Sequence, residues 1–334
     1  MHDPLLHLHH SLLVNAATPA AAVLTRPALS PSCRVVHDGG RFLVEHGGTV
    51  VTLEGRAAVS LLPRLLPLLD GTRTIDELTH ELGPAIAPAI EQALSLLESN
   101  RLLVDGTAKA EANETAAGAA AYAVAVAQRG SEAEAARALS EARVAVLGSG
   151  ATADEVARQL VQTGAGHVEC LHVGDEPGRE MFVLAAPAAD EAQALAHVNE
   201  WALRERVAWL QVLPFDGRTL VAGPLYLPGS SACHRCYVLR RGACSGYEED
   251  FELVEREPAR AASPAPLTSV GAGLAVLIAL RWLTTLDPTL PGRLYAVESG
   301  SILRVSHDQV LRVPRCHACG PPRRAVPSPW FEET

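Results

Sequence analysis

Basic residues are the first shortage in this chain of 334 residues. Lys and Arg together number 28 against 38 Asp and Glu, a formal net charge of −10, and lysine is nearly absent. A nucleic-acid backbone is bound by cationic surfaces, so this balance argues against nucleic acid as a partner. Aromatic residues are also scarce, at 4%. Together with the abundance of alanine, that reads as a GC-rich coding bias, which says little about function. Long apolar runs are missing too. The longest, Val270 to Leu280, contains Gly271 and Gly273 and is followed by Arg281 and Trp282. It falls short of the ~18 residues a membrane span requires and predicts a buried helix, with no membrane association. No secretory signal is recognisable at the N-terminus, so the expected location is the cytoplasm, where disulfides are disfavoured.

Against those absences, the cysteines are patterned. Four of the seven form two CxxC pairs, Cys233-His234-Arg235-Cys236 and Cys316-His317-Ala318-Cys319. Each pair can bite one metal ion, and two pairs complete the tetrahedral thiolate cage that structural Zn2+ prefers. Such a closed site has no open position for water, so the predicted role is to tie the C-terminal tail back onto its domain. Two disulfides, or four unrelated thiols, are the alternatives. Cys33, Cys170 and Cys244 have no partner pattern and read as buried or idle thiols.

The stretch up to Pro27, with His2, His7, His9 and His10, shows neither a helical nor a strand period and is expected to be irregular. Two strands, Cys33 to Val36 and Arg41 to Glu45, are joined by the turn signal Asp38-Gly39-Gly40, and a third, Thr49 to Leu53, follows Gly47-Gly48. Three helices come next. Pro63 and Pro67 predict that the first, around Ser60 to Leu69, is short or begins at Pro63. Thr74 and Glu77 form a capping box for the second, which ends at Gly83-Pro84. In the third, Ile86, Ile90, Ala93, Leu94 and Leu97 share a face, with Asn100 as a left-handed cap. Strands, three helices and a closing Leu102-Leu103-Val104 make a winged helix-turn-helix. Its third helix carries Glu91 and Glu98 and no basic residue before Arg101, a poor surface for a major groove. A transcription factor is therefore the third choice among functions.

The run "VVTLEGRAAVSLLPRLLPLLDGTRTIDEL" resembles the PqqD-like element that recognises leader peptides of ribosomally made, modified natural products. The resemblance implies that a leader adds as a strand against Thr49, Val50, Val51, Thr52 and Leu53, with Ile86, Ile90 and Leu94 as candidates on the helix side of the groove. Taken singly, each of these side chains reads as core before pocket, because the same face must also pack the module.

Beyond a small, polar stretch from Gly106 to about Ala120, and a helix in which Ser131 is capped by Glu134, comes "RVAVLGSGATADEVARQLVQTGAGHVECLHVGD". It reads as strand, glycine turn, helix and strand, in which Gly148 and Gly150 would admit a phosphate to the helix N-terminus and Asp175 would meet a ribose. A tight turn without ligand is the competing reading. With "GPLYLPGSSACHRCYVLRR" and "RVPRCHACG", the stretch resembles the ThiF-like adenylating fold, in the degenerate form found in cyclodehydratase partner proteins of thiazole/oxazole-modified peptide pathways. The likeness covers residues 31 to 322. The acidic pair and the Asn, Arg and Lys that grip ATP in active members are missing between Asp175 and "MFVLAAP", where Arg179 is the only basic residue.

The expected fold is thus α/β: an N-terminal winged helix-turn-helix (PqqD-like) plus a C-terminal ThiF-like, Rossmann-type domain with a structural zinc site. The expected division is 1–27 irregular, 28–106 recognition element, 107–141 linker and helices, 142–322 ThiF-like domain and 323–334 tail. The resemblance implies a non-catalytic scaffold with no catalytic residues of its own. It would bind a precursor leader and dock a YcaO-type cyclodehydratase, the partner using ATP, and a homodimer is plausible. The alternative is a self-sufficient adenylating enzyme that passes an activated carboxylate to a thiol such as Cys244.

Overall fold

The computed structural model describes residues 7–9, 24–30, 33–46, 49–100, 102–106, 114–127, 132–257 and 263–320. The chain divides into two compact units, 1–137 and 138–334.

The first unit opens with β1 (His7–His9) and β2 (Pro27–Leu29), then β3 (Arg34–Asp38), β4 (Arg41–His46) and β5 (Thr49–Glu54). The turn predicted at Asp38-Gly39-Gly40 forms, with φ of 57° at Gly39 and 93° at Gly40. Two of these strands correct the expectation of an irregular start: β1 lies wholly within residues 1–27, and β2 begins at its end. The sheet runs β1-β5-β4-β3, antiparallel throughout. Phe42 pairs with Leu53 and Val44 with Val51, and all four are buried on one face. Period-two alternation has thus put the apolar residues on the helix side.

Gly55, at φ 103°, turns the chain from β5 into α1 (Arg56–Leu65). The helix therefore starts well before Pro63 and carries that proline inside. Leu61, Leu62 and Leu65 are buried in the core, and their packing outweighs the N–H that Pro63 lacks. The capping box of α2 (Ile75–Leu82) is complete: Thr74 N–H donates to Glu77 Oε2 at 2.8 Å and Glu77 N–H to Thr74 Oγ1 at 3.2 Å. In α3 (Ala87–Ser99), Asn100 is not left-handed (φ −95°) and instead donates from Nδ2 to the Leu96 carbonyl at 2.8 Å. β6 (Leu103–Asp105) returns to pair with β2, and Asp105 accepts the N–H groups of Thr25 and Arg26. Helix α4 (Glu114–Ala127) occupies the end of the segment expected to be an unpatterned linker. Ser131, the expected cap of α5 (Glu132–Glu141), lies outside the described residues.

The second unit is built on seven strands: β7 (Arg143–Leu147), β8 (His167–Leu171), β9 (Phe182–Ala185), β10 (Trp209–Leu213), β11 (Thr219–Tyr226), β12 (Arg293–Ser299) and β13 (Leu303–Gln309). Their order is β13-β12-β11-β10-β9-β7-β8. Strands β8, β7, β9 and β10 are parallel, and the rest are antiparallel. Helices cover both faces, which is why Val144 to Leu147 form an unbroken buried run. α6 (Ala151–Gln162) and α10 (Ala265–Thr285) lie on one side. On the other, α7 (Leu195–Glu205) and α8 (His234–Ala243) enclose Trp209 and Tyr226, and the short α9 (Phe251–Val254) follows α8.

The expected buried helix is α10. At 21 residues it is longer than its apolar run, and by length and composition it is long enough to cross a membrane. Here Thr268, Gly271, Ala272, Ala275, Val276 and Ala279 are buried, and the helix packs on α6, β10 and β11. Just past its C-terminus, Asp287 pairs with buried Arg281.

Candidate functional site

Cys233 is the N-cap of α8, and Cys236 lies in that helix's first turn, so both thiols face one way. Cys316 and Cys319 sit in a tight turn after β13, closed by Gly320 N–H to the Cys316 carbonyl at 2.7 Å. The four sulfurs all lie within 4.8 Å of one another, with Sγ···Sγ distances of 3.8 Å (Cys233–Cys236), 3.8 Å (Cys233–Cys316) and 3.5 Å (Cys236–Cys319). Four sulfurs at ~2.3 Å from a common tetrahedral centre stand about 3.8 Å apart, so the donor set fits a zinc ion. Cys233, Cys236 and Cys316 are buried and Cys319 is partly so. Burial pushes the Cys233 thiol well up. It acts on Cys316 as well, but the N–H groups of Cys319 and Ala318 hold that thiol below its ordinary value.

Buried polar contacts fix the cage to the sheet. Gln211 Oε1, on β10, accepts the Tyr226 hydroxyl at 2.9 Å and lies 2.9 Å from His234 Nδ1. Asn199, on α7, accepts the His234 N–H at 2.9 Å. Burial, reinforced by Arg235 and Arg241, lowers His234 to about 4, so the ring is neutral at pH 7. On the tail side, Arg312 reaches the carbonyls of Gly229 and Cys319, and Arg240 those of Leu311 and Arg312. A cleft of about 960 Å³ borders this region, lined by Asn199, Leu213, Val221, His234 and Arg241 among others. The Arg235 and Arg241 guanidinium groups on it are paired with Glu252 and Glu255.

The glycine turn lies where the sheet order reverses between β7 and β9, the usual crevice for a nucleotide. Here one side of the turn is occupied. A Cβ on Gly148 would stand 2.1 Å from the Ala186 carbonyl oxygen, so the exit of β9 lies directly on the turn. The carboxylate of Glu191 accepts Ser149 N–H at 3.1 Å, Ser149 Oγ–H at 2.9 Å and Ala188 N–H at 3.0 Å. Partial burial works against its charge, but these donors prevail and hold the Glu191 carboxyl below its ordinary value. The protein's own anion thus stands where the turn would meet a phosphate. Gly150 caps α6 at φ 81°. Asp175 accepts His172 N–H within its own turn at 2.8 Å, and Arg179 is paired with Glu205. Nothing in the sequence near Gly148 signalled Glu191.

The candidate peptide-binding residues separate. Val51 and Leu53 point into the core of the first unit, as do Ile90 and Leu94, while Ile86 is half-buried. Val50 is exposed and Thr52 half-buried. Thr49 takes part through its backbone, paired with His46. The edge of β5 that points away from β4 is paired with β1, in the register His7 to Glu54, Leu8 to Leu53 and His9 to Thr52.

No family model and no curated protein matches the chain. Solved structures do. A structure of the heterocyclase TruD superposes with a TM-score of 0.66 at 21% identity, over 89% of this chain and 43% of that one. A heterocyclase in complex with substrate and cofactor gives the same score and identity, over 89% and 40%. This chain therefore spans less than half the length of the heterocyclases it matches. MccB of E. coli with AMPCPP and selenomethionine MccA has a TM-score of 0.63 at 15% identity, over 89% of this chain and 100% of that one. At these identities the likeness establishes a shared fold.

Proposed function

We propose that the chain is the leader-peptide-binding and activating component of an azoline-forming cyclodehydratase in ribosomal peptide natural product biosynthesis. It presents the precursor to a YcaO-type partner, which spends ATP to cyclise Cys, Ser or Thr side chains onto the preceding amide. The observation that carries this reading is the Glu191 carboxylate in the glycine turn. A triphosphate brought there would meet a carboxylate that already holds the N–H and hydroxyl of Ser149, with Arg179 engaged by Glu205. Phosphoryl and adenylyl transfer depend on cations aimed at phosphate oxygens, and beside this turn stands a carboxylate instead.

In this reading the first unit is a PqqD-like recognition element and the second a degenerate ThiF-like scaffold that Zn2+ stabilises. The matched heterocyclases extend well beyond the stretch this chain spans, and the ATP-using step belongs to a component equivalent to that remainder. Holding a leader raises the local concentration of the attached core peptide to about millimolar at the catalyst, without any new contact to the residues being modified. Fluorescence polarisation with labelled leaders from short precursor-like reading frames beside the gene tests this. Selective binding is expected, and no binding to any of them sinks the reading.

One observation favours a second reading. The chain spans 97% or more of the MccB chains, one of them solved with ATP. A self-sufficient adenylating enzyme that hands a carboxylate to exposed Cys244 would show ATP–pyrophosphate exchange without a partner. Robust exchange by this protein alone would replace the scaffold.

A further inference from the structure

The peptide edge of the first unit is already taken. Strand β1 reaches β5 from far upstream, with β2, β3 and β4 intervening in sequence, so it is not the arm of a hairpin ending in β5. It covers three residues of a six-residue strand, whereas β4 pairs with five residues of β5. It can leave without opening the β3–β4–β5 meander, and once it leaves, β5 presents a row of unpaired N–H and C=O groups.

We propose that β1 is an internal stand-in for the peptide ligand. It holds the β5 edge in cis and is exchanged for an extended peptide that adds in trans as an antiparallel strand. This rests on the reading of β5 as the leader edge and adds a regulatory step to it. A trans peptide long enough to pair along Thr49–Glu54 makes more backbone hydrogen bonds than the three residues of β1, and so has a differential affinity with which to displace it. The cis strand counters with its tethered concentration, of millimolar order. An edge nine-tenths occupied in cis weakens the apparent affinity for any trans strand about tenfold. Short precursor fragments and unrelated extended peptides are thereby rejected, and a leader that pairs along the whole strand is admitted.

The test needs no knowledge of the natural leader. The probe is a fluorescein-labelled peptide of residues 1–14, MHDPLLHLHHSLLV, added to the full chain and to full chains carrying Leu8→Pro or His9→Pro. Successive N–H groups of a strand point to opposite sides, so one of the two prolines removes a bond to β5. That variant is expected to bind the probe about tenfold more tightly than the wild type. Hydrogen exchange of the β5 amides, without peptide, should accelerate in the same variant, while the β3–β4 amides stay protected and show that the unit is folded. Equal probe binding by all three chains, or β5 exchange unchanged in both variants, overturns the proposal. Were probe binding and exchange both to behave as expected while no precursor leader bound, β1 would stand as a cis occupant and the scaffold reading would fail on its own.

Discussion

Stripping metal from the cysteine cage is expected to lower the melting temperature of the second unit by about 10 °C. The cage joins Cys233 to Cys316 across 83 residues. Closing a loop of that length removes about 15 cal/mol/K of entropy from the denatured chain, or roughly 4.5 kcal/mol at 25 °C, if a metal clip constrains it as a disulfide does. The unit 138–334 has close to 200 residues, each contributing ~2.1 cal/mol/K to the entropy of melting, so the shift comes to about 11 °C. Differential scanning calorimetry on the reduced protein, before and after chelation and again after adding Zn2+, measures it, with elemental analysis of the starting material. The double substitution Cys316→Ser/Cys319→Ser should reproduce the chelated transition. Less than half an equivalent of zinc in the purified protein, or a stripped protein melting within about 2 °C of the original, would refute the reasoning.

The other predictions concern the remaining named contacts. Ile90→Ala should cost the first unit about 3 kcal/mol, because Ile90 is fully buried in the α3 core. Leader affinity measured well below the melting point should stay within about twofold, because the β5 edge is read through its backbone; a larger loss would make Ile90 part of the groove. Glu191→Gln should leave ATP–pyrophosphate exchange undetectable, since the cations are still lacking. It should also lower stability at pH 7. The folded Glu191 carboxyl lies below its ordinary 4.5, so its contribution is fully present above pH 4.5 and is lost as the pH falls through the depressed folded value. Urea melts of the wild type and Glu191→Gln should therefore converge in acid, and a gap that widened there would reverse the sign. Asp287→Asn removes one charged partner of buried Arg281 and is expected to lower stability in the same melts, with no change in the midpoint counting against it.

What the sequence made legible was what closes over a few residues. The Thr74/Glu77 capping box, the Gly39-Gly40 turn and the two CxxC bites each need partners no more than three positions apart, and each forms. The start of α1 differs from the expectation because Pro63 is a local signal. Gly55 sets the helix start, and the burial of Leu61, Leu62 and Leu65 outweighs the proline. Asn100 differs more mildly: it ends α3 through its side-chain amide, with its backbone on the right-handed side.

Two contacts that bear on the proposed function were invisible for a different reason. Glu191 is 42 residues from Ser149, and β1 meets β5 across three intervening strands. Neither leaves a periodic or spaced trace, because a single carboxylate has no pattern and three residues are too few to show alternation. Yet each of them occupies a motif that is legible in the sequence. The glycine turn has the shape of a phosphate site, and its Ser149 is engaged by a carboxylate. The β5 strand has the shape of a peptide edge, and its free side is paired. A local motif specifies a geometry, whereas its availability is decided by whatever distant segment the fold brings against it. The two occupants differ in how firmly they are held. Glu191 is locked by three hydrogen bonds beside the close approach of Ala186 to Gly148, while β1 rests on three residues of backbone pairing. On that difference in strength rests the proposal that β1 exchanges while Glu191 stays in place.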